Sequence, residues 1–303
     1  MSLRAELARL GIRLVFKSRD EGPPDIDKMR RKIDRLSRWI INPPRTTKTA
    51  HFSAGSVSAV RVTTPQSRSD HHVLYVHGGG YNYGTPALYR DLTWRIADVA
   101  RTTVTLPVYR LAPEHPFPAA LDDVVTSYLF LLSEDIDPRR LALIGDSAGG
   151  GLVFATLLRL RDAGKPLPAA TVAISPWVDL SLQSESSISF GRTDPMLSLT
   201  EARHLAANYL GSAAPNHPYA SPIFGDVSGV PPSLIQVGDD EMLRDDAVIM
   251  AQRLRAAGCE VELELWPRMP HVWHTLARLV PEGHRAIERI GAFLHKTWAQ
   301  AGM

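Results

Sequence analysis

A chain of 303 residues can bury a large core, as one α/β domain or as two smaller ones. Hydrophobic residues make up 44% and charged residues 22%. The net charge of +2, spread along the chain with no block of like charges, leaves no footprint for nucleic acid. The lone cysteine, Cys259, excludes an internal disulfide framework, points to a cytoplasmic setting, and reads as a packing residue between a helix end and a strand.

The N-terminal "MSLRAELARLGIRLVFK" spaces leucines at 3, 7, 10 and 14 as a helix does. Arg4, Arg9, Arg13 and Lys17 interrupt it too often for a signal peptide or a stable membrane insertion, so the helix is expected to pack on the protein. Residues 1–45 read as two helices broken at "EGPPD" and ended by Pro43 and Pro44. Beyond them, short apolar runs alternate with helical stretches. "HVLYV" and "TTVTLPVYR" are strands, "ALDDVVTSYLFLL" a helix, "LALIGDS" a strand, and "GGGLVFATLLRLRDAG" a helix closed by Gly164. "ATVAISPWVDL" is a strand. The segment at about 181–215 interrupts the alternation, with a Ser198–Glu201 capping box opening a helix that stops at Gly211. The strand "PSLIQVGDDE", the helix "RDDAVIMAQRLRAAG", the strand "EVELELW" and a helix over about 284–299 complete the chain.

Such alternation with near-continuous apolar strands predicts a mostly parallel sheet flanked by helices, with function at the carboxyl ends of its strands. Residues 1–45 and the insertion at about 181–215 are expected to form a small helical cap on the remainder, 46–303.

Gly145-Asp146-Ser147-Ala148-Gly149 matches G-x-S-x-G between a strand and a helix. Gly145 and Gly149 must be small where strand and helix crowd together, and the turn lifts the Ser147 hydroxyl above the sheet at the positive end of a helix dipole. A serine needs a base. His271, on the loop "WPRMPHVWH" after the last strand, is placed for that, while His274 falls in the next helical turn. His71 and His72, before a strand, are expected in solvent; the histidines at 51, 204, 217, 284 and 295 lie in no supporting pattern. The carboxylate that would orient the base lies among Asp239, Asp240 and Glu241; Asp245 and Asp246 belong to the following helix. Two N–H groups of the glycine run after His77, together with that of Ala148, could receive an oxyanion, with His77 bracing the loop. "YRLAPEHPFPAALDD", with Arg110, Glu114, His115, Asp122 and Asp123, reads as a structural brace.

"HGGG" at 77–80, "YRLAPEHPFPAALDD" at 109–123, "GDSAGG" at 145–150 and "PHVWH" at 270–274 stand in one order over residues 70–300. In these motifs the chain resembles the hormone-sensitive-lipase-like (bacterial family IV) esterases of the α/β-hydrolase fold. The resemblance implies Ser147 as nucleophile and His271 as base. It also implies Gly78, Gly79 and Ala148 as oxyanion donors, with His77, Gly80, Gly145, Asp146 and Gly149 as supporting motif positions. Many members read D-P-L-R-D where this chain has "EMLRD", which puts Glu241 at the place of the acid. The implied activity is a carboxylesterase for short- to medium-chain, small-molecule esters, without cofactor or metal. Amide or formamide hydrolysis by the same groups and a non-catalytic ligand-binding member are the alternatives. Members of the family also dimerise through the last strand, here "EVELELW", whose charged face could equally oppose pairing.

Overall fold

In the computed structural model, which describes residues 2–16 and 22–302, the apolar runs form one eight-stranded sheet. Its strands are β1 (Lys48–Ala54), β2 (Val57–Thr63), β3 (His72–Val76), β4 (Thr103–Pro107), β5 (Leu141–Asp146), β6 (Ala170–Ile174), β7 (Ser233–Gly238) and β8 (Val261–Trp266). They lie in the order β1-β2-β4-β3-β5-β6-β7-β8. Only the β1–β2 and β2–β4 pairings are antiparallel. This is the mostly parallel α/β sheet that the alternation predicts.

Helices α1 (Leu3–Phe16) and α2 (Ile26–Trp39) precede the sheet. Then come α3 (Arg90–Val99), α4 (Ala119–Ser133), α5 (Ala148–Asp162), α6 (Glu185–Phe190), α7 (Leu199–Leu210), α8 (Arg244–Ala256) and α9 (Pro281–Ala301). Successive side chains of a strand point to opposite faces, and the strands between the helix layers are apolar on both. Leu74, Val76, Leu143, Ile235 and Val237 join α4, α5 and α8 in one core, whereas Val73, Tyr75, Ile144, Val172 and Leu234 join α3 and α9 in the other.

The hairpin β1–β2 and helix α3 are additions to the elements read from the sequence. Most of β1 is exposed, so "KTAHFSA" carries no burial rhythm; the turn residues Gly55 and Ser56 between the two strands were the available signal. Two local expectations need correcting. Ser198 makes no side-chain cap bond, although α7 does start after it and end before Gly211. His72 is buried, not solvated; its Nε2 meets the Thr105 hydroxyl at 2.9 Å and burial pushes its pKa down to about 3. His71 is partly buried against Asp70.

The "YRLAPEHPFPAALDD" segment is braced by an Arg110–Asp123 ion pair at 2.8 Å and by Glu114, which takes Arg30 from α2 at 2.7 Å. At the sheet edge, the glutamates in and just before β8 are held by α9: Lys296 reaches Glu260 and Glu262, and Arg289 reaches Glu262 and Glu264.

Backbone crowding at the end of β5 is severe. A Cβ on Gly149 would lie 2.0 Å from the Val76 carbonyl oxygen, and one on Gly145 would lie 2.4 Å from that of Gly149. Gly149→Ala should therefore cost more than about 3 kcal/mol in urea unfolding, beyond ordinary overpacking because the obstruction is backbone. Gly11→Ala, in α1 with open space around it, should be neutral or stabilising in the same measurement.

Candidate active site

Ser147 sits between β5 and α5 with φ 53° and ψ −123°, a conformation that L-residues seldom adopt. Backbone bonds hold it there. Its N–H donates to the Ile174 carbonyl at 2.8 Å, and its own carbonyl accepts from Trp177 N–H at 2.9 Å and Gly151 N–H at 3.2 Å. The hydroxyl-bearing Cβ is 3.0 Å from where a Cβ on Gly78 would stand, so the glycine loop and the serine turn are in contact.

His271 follows β8 and is buried, with Nδ1 2.8 Å from Glu241 Oε2. The other oxygen of Glu241 accepts from Gly238 N–H at 2.7 Å and from the Ser175 hydroxyl at 2.8 Å. Asp239 instead accepts Arg268 N–H at 2.7 Å, and Asp240 pairs with Arg9 at 2.8 Å. Of the three carboxylates, Glu241 is the one brought to the imidazole. His274 is turned away: its Nε2 lies 2.7 Å from Gln236 Oε1, and burial takes its pKa to about 3.

Ser175 was not singled out from the sequence. Its φ is 45°, and that of Val272 is 51°; the Val272 N–H donates to Ser175 Oγ at 3.3 Å. Ser147 and the His271 loop are thus anchored on consecutive residues at the end of β6, Ile174 and Ser175. Three positive-φ side-chain residues, Ser147, Ser175 and Val272, stand around one point at the strand ends.

Asp146 reaches back beneath the glycine loop. It accepts from Tyr75 OH at 2.7 Å, Gly78 N–H at 3.0 Å and Tyr89 OH at 3.0 Å, and burial pushes its pKa up to about 6 despite those donors. The two tyrosines gave no signal in the sequence. His77 Nδ1 donates to the Gly78 carbonyl at 2.8 Å, its carbonyl accepts Tyr109 OH at 2.8 Å, and the ring stacks on Tyr109 with centroids 4.3 Å apart.

The bond to Asp146 corrects one expectation. The Gly78 N–H is already engaged and points under the loop, so it is not a free oxyanion donor in this arrangement. Among the described residues the N–H groups of Gly79, Gly80 and Ala148 take no hydrogen-bond acceptor. Gly79 and Gly80 have φ 120° and 57°, a backbone course that turns successive N–H groups inward.

The 181–215 insertion clasps both halves of the site. Asp194 accepts Met242 N–H at 2.9 Å, and the Ser186 hydroxyl donates to the Met242 carbonyl at 2.9 Å, one residue beyond Glu241. From α7, the Leu205 carbonyl accepts Asn82 Nδ2 at 3.0 Å, and Tyr209 stacks on Tyr81 at 3.9 Å, next to the glycine loop. Among the described residues no three His, Cys, Asp or Glu side chains gather as metal ligands.

An eight-stranded, mostly parallel sheet with a serine turn after β5 and a histidine beyond β8 defines an α/β hydrolase. The family model described as the alpha/beta hydrolase fold matches residues 73–275. An acetyl-hydrolase of Streptomyces hygroscopicus is 46% identical over 230 residues, covering 76% of this chain and 77% of that one. An esterase of Acinetobacter venetianus is 32% identical over 229 residues, covering 75% and 76%. The crystal structure of an esterase from the bacterial hormone-sensitive lipase family superposes with a TM-score of 0.93 at 40% identity, over 98% of this chain and 99% of that one. The chain belongs to this hormone-sensitive-lipase-like family of α/β hydrolases and is a carboxylic ester hydrolase.

Burial disfavours the His271 imidazolium, but the hydrogen bond and charge of Glu241, with Asp194 and Asp146 behind it, outweigh burial and raise the pKa above the ordinary 6.5. Followed by NMR, the ring should take up its proton as pH falls through a midpoint above 6.5, and Glu241→Gln should move that midpoint down. His72, His77 and His274 should stay neutral until pH falls to about 4 or below. An unchanged His271 midpoint in the Gln variant would break the link to Glu241.

Proposed function

We propose that Ser147 is the nucleophile of an acyl-enzyme reaction on short- to medium-chain esters, with His271 as general base and acid and Glu241 as the group that orients it. The observation that carries this reading is the common anchoring of the Ser147 turn and the His271 loop on Ile174 and Ser175, with Glu241 bound to both Ser175 and His271.

Ser147 Oγ attacks the ester carbonyl as its proton passes to His271 Nε2, and the imidazolium is stabilised by Glu241. The negative charge that develops on the carbonyl oxygen is received by the N–H groups of Gly79, Gly80 and Ala148; this set replaces the Gly78-containing one, because the Gly78 N–H serves Asp146. Collapse breaks the ester C–O bond, and His271 returns its proton to the departing alkoxide, giving the alcohol. Water then attacks the acyl carbonyl with His271 again as base, and the carboxylic acid leaves with Ser147 restored.

Residues 1–45 together with 181–215 act in this reading as a cap over the strand ends. The insertion's contacts with Asn82, Tyr81 and Met242 support it, and a pocket bounded by such a cap favours small esters. The open edge of β8 is where two copies of the chain would pair. A single half-buried cysteine, Cys259, suits a reducing cytoplasmic setting.

Ser147→Ala should abolish turnover of p-nitrophenyl esters while leaving thermal unfolding unchanged, and Glu241→Gln should lower kcat by about 10³–10⁴-fold. Retained turnover in Ser147→Ala would refute the assignment. Across an acyl-chain series, kcat/KM should peak at short to medium chains and exceed that for the matching anilides; a maximum at long chains or faster anilide cleavage would overturn the substrate class. In the wild type the acid limb of kcat/KM should turn over above pH 6.5, because only neutral His271 can accept the proton.

A further inference from the structure

Helix α1 has two opposed apolar faces. One is inward: Ala5 and Ile12 are buried, with Ala5 packed among Met269, Trp273, Val280 and Ala286. The other is a stripe of Leu3, Leu7, Leu10 and Leu14, which are 77%, 62%, 56% and 76% exposed. Their spacing aligns them along one side of the helix, on the side away from Ala5 and Ile12. Single exposed leucines are commonplace, but four in register on one helix are a patch. Arg4 and Arg13 flank the stripe, about 90° to either side of its centre, and both are exposed.

The helix is tied down by contacts on its inward side and on one flank, Glu6 lying only about 70° from the centre of the stripe. Arg9 pairs with Asp240 at 2.8 Å, Glu6 with Arg268 at 2.8 Å, and the Ser2 N–H donates to Glu282 at 2.7 Å. Lys32 of α2 reaches the Val15 carbonyl, so the second helix adjoins the end of the first. On α2, Lys28, Arg31, Arg35 and Arg38 are exposed, and Trp39 is 85% exposed.

The balance of charge is uneven, contrary to the even spread read from the whole chain. Residues 1–45 hold 12 Lys and Arg against 6 Asp and Glu, a net of +6 where the whole chain has +2, so the remainder is acidic. Apolar side chains in a stripe with cations at its edges match the region of a bilayer where acyl chains meet anionic headgroups. A second copy of the same face would bring like charges together.

We propose that the outer face of α1, with the basic face of α2, docks on an anionic lipid surface. The leucines enter the headgroup–acyl boundary while the arginines and lysines stay with the phosphates. Because α1 rests on Asp240 and on the Met269–Trp273 segment, docking holds the surroundings of Glu241 and His271 beside a phase in which apolar esters concentrate. The surface stands whether or not the proposed triad is correct, since none of its residues belongs to that site.

The test is flotation of the full chain with phosphatidylcholine vesicles that contain about 30% phosphatidylglycerol, against pure phosphatidylcholine. The wild type should float with the anionic vesicles about ten-fold more than with neutral ones, and less so as salt screens the charges. The double variant Leu7→Ser, Leu14→Ser should lose about ten-fold of that binding and keep the wild-type thermal unfolding midpoint, which reports correct folding. No flotation of the wild type, or equal flotation of the double variant, would overturn the proposal. So would light scattering that shows a wild-type dimer converted to monomer by the two serines without any binding to vesicles, because the stripe would then face a second copy.

Discussion

Everything at the strand ends depends on how closely two backbones approach at Gly149. The first turn of α5 is pressed onto the end of β3, with no room for a single carbon between Gly149 and the Val76 carbonyl. That approach puts the glycine loop against Ser147, aims the α5 amino end at the space above, and brings Asp146 under the loop to hold Gly78. Looser packing would separate the loop from the serine by the width of a methyl group. The strain of Ser147 is tolerable because three backbone hydrogen bonds fix it from β6 and α5.

A second node stabilises the histidine side. Glu241 is buried yet fully engaged, with one oxygen on His271 and the other on Gly238 N–H and the Ser175 hydroxyl. A buried carboxylate lacking such donors would be driven to its neutral form. Ser175 has a double part, since its hydroxyl donates to Glu241 and accepts from Val272 N–H. Glu241, the His271 loop and the Ser147 turn are therefore spaced from the end of one strand, β6.

The parallel sheet and the motif-bearing turns were legible in the sequence because both have strong local signatures: continuous apolar runs of strand length, and glycines around a serine. The hairpin at 48–63 was not, because β1 is mostly exposed and lacks a burial rhythm. The choice among Asp239, Asp240 and Glu241 was open on spacing alone. It turns on tertiary partners, Arg268 for the first, Arg9 for the second and His271 for the third, which lie 29 to 231 positions away along the chain. Gly78 shows the opposite failure: three equivalent glycines look interchangeable in the sequence, and the carboxylate of Asp146 distinguishes them. Tyr75, Tyr89 and Ser175 carry no motif of their own and become visible only through the atoms they touch.

The clasp between the insertion and Met242 has a consequence for how this enzyme can change. Met242 is held through both its N–H and its carbonyl, by Asp194 and Ser186, while its chain neighbour Glu241 holds the imidazole. In the proposed reading of the insertion as a cap, the residues that bound the ester are bonded directly to the chain neighbour of Glu241. Substrate range and turnover are then coupled traits: remodelling the insertion to admit a bulkier ester also shifts the footing of Glu241. A broadened variant would need compensating changes at Asp194 or Ser186 before it regained speed.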